Sequence, residues 1–232
     1  MRHVLQAILF LPVLILQGLW VAARAQRLPP AAGPTSDRIG EGAPLRILML
    51  GDSSAAGMGA QTQDEALMGQ LAQTLSVDFD VQWKLIAKGG VTSSQALAML
   101  LASEESQCDV AVVCLGVNDT KNGVSTREWK RSYAAVFAEL RRRGARQIIA
   151  CGLPPLGTFP LLPWPLRQTL GARANSLDKH LQVLTAGEPA AVHVPSLFEM
   201  DPAMMASDGF HPGPVLYSLW GQGLADVIRA QR

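Results

Sequence analysis

Residues 45–60, LRILMLGDSSAAGMGA, run from an apolar stretch into a glycine, an acid and two hydroxyls. Leu45 to Leu50 has the composition of a strand buried on both faces of a sheet. It stops abruptly at Gly51-Asp52-Ser53-Ser54. Small polar residues after a strand often form nothing more than a turn. The alternative is that one serine is a nucleophile standing at the sheet edge, and the rest of the chain has to choose.

Working outward, apolar runs alternate with helical spacing. Leu67, Leu71 and Leu75 recur every fourth residue, VQWKLIA (81–87) reads as a second strand, and residues 93–101 read as a helix capped at Thr92, Ser93 or Ser94. DVAVVCLG (109–116) is a third, fully buried strand. Trp129, Tyr133, Val136, Phe137 and Leu140 make one core stripe along a helix over 125–143. RQIIACG (146–152) is a fourth strand, Leu170, Leu177, Leu181 and Leu184 mark a further helix, and AAVHVPS (190–196) is a short fifth strand. The last helix starts near Pro214, a residue suited to a first turn. The pattern predicts an α/β fold: a three-layer α/β/α sandwich around a roughly five-stranded parallel sheet of flavodoxin type.

In such sheets ligands bind beyond the carboxyl ends of the strands. Ser53 follows strand one, Gly89-Gly90 strand two, Gly116-Val117-Asn118-Asp119 strand three, and Asp208-Gly209-Phe210-His211 comes after strand five. All four groups fall on one edge. With GDSS, KGGVTS, GVND and DGFHP in that order from Gly51 to Pro212, the sequence resembles the SGNH, or GDSL-type, hydrolases. The resemblance implies an ester hydrolase without a cofactor, in which Ser53 is the nucleophile, His211 its base and Asp208 the residue orienting the imidazole. It implies an oxyanion hole of the Ser53 N–H, the Gly90 N–H and the Asn118 amide. Gly90 is taken over Gly89 because it directly precedes Val-Thr.

Each residue type suits its task. A serine hydroxyl needs an adjacent base to attack a carbonyl at neutral pH, and His211 can take its proton and return it to the leaving group. Pro212 disfavours helical geometry at His211. Simpler roles are expected for the neighbours: Asp52 bonds local backbone, Ser54 belongs to the turn, Asp119 braces its loop, and His193, inside a strand, is structural. Metal-assisted hydrolysis through Asp52, Asn118, Asp208 and His211 is the rival chemistry, although one histidine is thin ligation for zinc. The chain lacks the G-x-S-x-G elbow of α/β-hydrolases. A non-catalytic binding domain on the same fold is the third reading.

The 232 residues carry a net charge of +1, which gives no electrostatic footprint for nucleic acid. Arg141-Arg142-Arg143, the one dense basic run, ends a helix and is expected to complement its dipole in solvent. Cys108, Cys114 and Cys151 show no metal spacing and read as core thiols. Residues 1–25 have a basic start, an apolar stretch and Ala23-Arg24-Ala25, the layout of a signal peptide or membrane anchor. The expectation is therefore export (periplasmic or secreted) or anchoring through this leader, which is set apart from the folded domain. Residues 26–44, rich in Pro and Gly, read as a tether, and residues 45–232 as the hydrolase domain. LPPLGTFPLLPWPLRQTL (153–170) lies on the active edge. Its Phe159, Leu161, Leu162 and Trp164 could wall an acyl pocket, which would favour acyl, aryl or lipid-like esters over acetylated sugars.

Overall fold

The computed structural model describes residues 10–104, 106–196 and 201–231. Its centre is a six-stranded sheet of β1 (Ser36–Ile39), β2 (Ala43–Gly51), β3 (Phe79–Ala87), β4 (Val110–Cys114), β5 (Gln147–Cys151) and β6 (Ala191–Val194). The order is β1-β3-β2-β4-β5-β6. Strands β2 to β6 all pair in parallel, so those five have the flavodoxin-like order expected. The sixth, β1, is antiparallel to β3.

Side chains alternate across a strand, and β2 uses both directions. Leu45, Ile47 and Met49 enter a core under helices α2 (Leu67–Leu75) and α7 (Pro214–Ala230), which pack against each other. Leu48 and Leu50 enter the opposite core under α3 (Ser93–Ala102), α5 (Thr126–Arg142) and α6 (Leu166–Ala186). Burial on two faces is why the run is apolar throughout. The short α4 (Val117–Lys121) follows β4 directly, and α1 (Leu11–Arg24) precedes the sheet. Thr92 is the N-cap of α3, with a reciprocal capping box to Gln95.

Three expectations need correction. Residues 26–44 are not a free tether: Ala31 is buried, Ala32 bridges to Thr62, and residues 36–39 form β1. The glycines there serve close packing, since a Cβ at Gly40 or Gly42 would lie 2.1 Å from the carbonyl oxygen of Phe79 or Asp78. The Arg run is not wholly solvated either. Arg143 is buried and donates to Glu139 (2.8 Å), Ser103 (3.0 Å) and the Leu100 carbonyl (2.5 Å), so it closes the C-terminal end of α3. Finally, α1 does not stand apart. Phe10, just before it, packs edge-on to Trp164, and Gln17 bonds the backbone where α6 begins. Among the described residues no helix is long and apolar enough to cross a membrane.

Candidate active site

Gly51 ends β2 because nothing larger fits: its Cβ would stand 2.4 Å from that of Ala55 and 2.9 Å from the Cys114 carbonyl oxygen. The chain then turns sharply. The Asp52 amide donates to the Cys114 carbonyl (3.1 Å), and the amides of Ala56, Gly57 and Met58 donate back to Asp52, Ser54 and Ser53. Ser53 is left half-exposed at the carboxyl edge of the sheet.

Asp52 does more than brace its turn. One carboxylate oxygen accepts from the Ser54 amide and hydroxyl (both 3.2 Å), and the other accepts from Asn118 Nδ2 (3.1 Å). An amide NH2 has two hydrogens. One fixes Asn118 to Asp52, and the second is available to the cavity that Asn118 lines. Burial pushes the Asp52 carboxyl above the usual range, against the Ser54 bonds that pull it down. Asp119 turns away from the site, accepting from the Ser93 amide (3.1 and 3.0 Å) and hydroxyl (2.9 Å). It ties α4 to the start of α3, and so ties the third sequence block to the second.

Asp208 and His211 form a compact unit. Asp208 Oδ1 accepts from the amides of Phe210 and His211 (both 2.9 Å), and Oδ2 meets His211 Nδ1 at 2.5 Å. Burial raises the Asp208 carboxyl, but the amide and ring of His211 and the Phe210 amide outweigh it and hold the group below its usual range. An ionised Asp208 keeps the proton on Nδ1 and leaves Nε2 as the free acceptor. The loop is pinned by bonds from Ala206 N to His211 O and from Gly213 N to Met204 O (both 2.8 Å).

Ser53, Gly90, Asn118, Asp208 and His211 all line one cavity of about 500 Å³. Gly90 has φ +83°, which favours glycine, and open space where a Cβ would stand. No direct hydrogen bond joins Ser53 to the His211 ring in this conformation, a contact that often tightens only when substrate is bound. A second cavity, about 80 Å³, is also lined by Ser53, Phe210 and His211, together with Phe159, Leu216 and Trp220.

Of the loop residues expected to wall a pocket, Leu161 and Leu162 line the large cavity and Phe159 the small one. Trp164 lines neither. It is 57% exposed and its ring packs on Phe10. His193 is structural, 3.0 Å from Asp178, and the three cysteines are buried and free. Sequence reasoning missed Lys121, whose Nζ lies 5.4 Å from the centre of the Phe210 ring at the large cavity. Its position one turn after Asn118 was the available signal.

The sequence matches the GDSL-like Lipase/Acylhydrolase family over residues 49–219. No curated protein matches it detectably. Among solved structures it is similar to TesA, at 21% identity and a TM-score of 0.61, covering 81% of this chain and 99% of that one. It is also similar to the psychrotrophic esterase EstA from Pseudoalteromonas sp., in a structure inhibited by monoethylphosphonate (19%, TM-score 0.58, covering 80% and 97%). A third is an active-site mutant of a family two carbohydrate esterase from Clostridium thermocellum (16%, TM-score 0.59, covering 81% and 64%). At these identities the likeness is one of fold.

Proposed function

The chain belongs to the GDSL-like lipase/acylhydrolase family and is an ester hydrolase, and we propose that it cleaves acyl or aryl esters, lipid-like ones included, through an acyl-enzyme on Ser53. His211 Nε2 takes the Ser53 proton as Oγ attacks the ester carbonyl carbon. The resulting oxyanion accepts from the Ser53 and Gly90 amides and from the second hydrogen of Asn118. As the intermediate collapses, His211 passes its proton to the leaving alkoxide and the acyl group stays on Ser53. Water, deprotonated by the same ring, then releases the acid and restores the serine. The observation that carries this reading is the His211–Asp208 unit opening onto the same cavity as Ser53, Gly90 and Asn118.

The acyl preference rests on the lining of the large cavity, where apolar side chains, Leu156, Leu161, Leu162, Leu166 and Leu170 among them, outnumber polar ones. The small cavity favours a second reading. Its 80 Å³ suit an acetyl group, with the alcohol, such as a sugar, in the larger space. A p-nitrophenyl ester series from acetate to dodecanoate, run on wild type and Ser53→Ala, separates the two. Rates that rise beyond acetate and vanish in the variant are expected. A maximum at acetate would favour the acetyl reading, and undiminished turnover by Ser53→Ala would remove the serine mechanism.

The reading also includes export and association with a phospholipid surface through α1. Its support is the outward apolar face of that helix, where Ile15, Leu16 and Leu19 are 54%, 67% and 64% exposed, with Arg24 at its end. Co-sedimentation with phosphatidylglycerol vesicles is expected, and a Leu16→Glu/Leu19→Glu variant should stay in the supernatant. Wild type that remains wholly soluble would contradict it.

A further inference from the structure

The inner face of α1 has a separate use. Leu14, Gly18, Val21 and Ala22 follow the spacing of one helical face, and all four line the large cavity opposite the leucines of the 156–170 segment. From this juxtaposition we propose that α1 is retained in the working enzyme as a wall of an acyl-chain channel that ends at Ser53. The occupant is the straight alkyl chain of an ester substrate or of its fatty-acid product. The inference rests on the acyl-ester reading above and assigns the leader a part in it.

Two features argue that the docking is built into the sequence. Gln17 is the one polar residue between Leu11 and Ala22. A lone glutamine is costly inside a hydrocarbon-spanning segment. Here Nε2 donates to the Trp164 carbonyl (2.7 Å) and Oε1 accepts from the Leu166 amide (3.1 Å), the first residue of α6. An amide at a helix N-terminus lacks a partner within its own helix, and α1 supplies one. Beyond the helix, Gln26 accepts from the Ser207 hydroxyl (3.0 Å), close to the Asp208–His211 unit.

The second feature is Gly18. Glycine in a helix interior is destabilising relative to alanine, so its place needs a reason. Nothing lies within 4 Å of where its Cβ would stand. Gly18 lines the large cavity, so a Cβ at this position would point into open space without meeting protein.

Gly18→Leu is therefore the direct test, because it raises helix propensity and adds its bulk from a position that lines the cavity. Dodecanoate binding to the full chain, measured by calorimetry on wild type, Gly18→Leu and Ser53→Ala, reads the channel without using turnover. Wild type and Ser53→Ala should bind alike, and Gly18→Leu about tenfold or more weaker at an unchanged melting temperature. In the ester series the same variant should lose dodecanoate ester turnover while keeping that of acetate. Unchanged dodecanoate binding by Gly18→Leu, or no binding by wild type, would overturn the channel whatever the esterase assay gives. If binding falls as expected while no ester is cleaved, the channel stands and the acyl-enzyme reading fails. A protein isolated from its own cells that begins at Gln26 would also overturn it.

Discussion

Asn118 bears two duties on one amide. Its bond to Asp52 holds it still, and in the proposed mechanism its remaining hydrogen serves the oxyanion. Losing one such donor typically lowers turnover about 100- to 1,000-fold, so Asn118→Ala should fall by that order in kcat with its thermal melt retained. Asp52→Ala should slow turnover in the same direction but less, by loosening the amide rather than deleting it. Near wild-type kcat in both would remove the pair from the mechanism. At this scale the sequence was partly legible. Ser53, His211, Asp208 and Asn118 were named through the blocks that resemble the family, and the structure brings all four to one cavity. The Asp52–Asn118 bond could not be read this way, because it joins residues 66 apart and both look like ordinary turn residues.

Elements were legible where their periodicity was strong and illegible where composition misled. The core under α5 follows from that helix's stripe, and the core on the other face from the two-sided burial of β2. Residues 26–44 were misread because Pro and Gly signal flexibility in isolation, whereas here the glycines let the backbone between β1 and β2 pass closely over Asp78 and Phe79. The docking of α1 depends on one glutamine meeting one helix end, a match that no local pattern encodes. Arg143 gives the sharpest test at this level. Its guanidinium lies buried between Glu139 and the end of α3, so Arg143→Met leaves Glu139 to Arg142 alone and takes the donors away from Ser103 and the Leu100 carbonyl. A loss of about 2 kcal/mol in chemical denaturation is expected, chiefly from the buried hydrogen bonds that go with the guanidinium. A change within about 0.5 kcal/mol, the range of ordinary surface substitutions, would show that the bridge contributes little.

For the molecule as a whole, two carboxylates with large downward shifts contribute to acid stability. Hydrogen bonds from Arg46 hold Asp109 down at about 2, and those from Arg142, then Arg143, hold Glu139 at about 2. Both are depressed below their unfolded values of about 4. Their contribution is therefore complete above about pH 4 and is lost as pH falls toward 2. Asp109→Asn should lower the melting temperature at neutral pH and flatten its decline between those limits. An acid limb identical to wild type would rule Asp109 out. The sheet order was legible at this scale because strand, helix and polar terminus recur in one sequence, while β1 and the α1 lining of the large cavity were not. What the whole account turns on is whether the histidine activates the serine. Labelling by a fluorophosphonate, followed by mass mapping of the modified peptide, measures that directly. The account predicts one adduct, on Ser53, absent in Ser53→Ala and formed far more slowly in His211→Ala. A folded protein that takes no label, or that is labelled at Ser53 equally fast without His211, would contradict it.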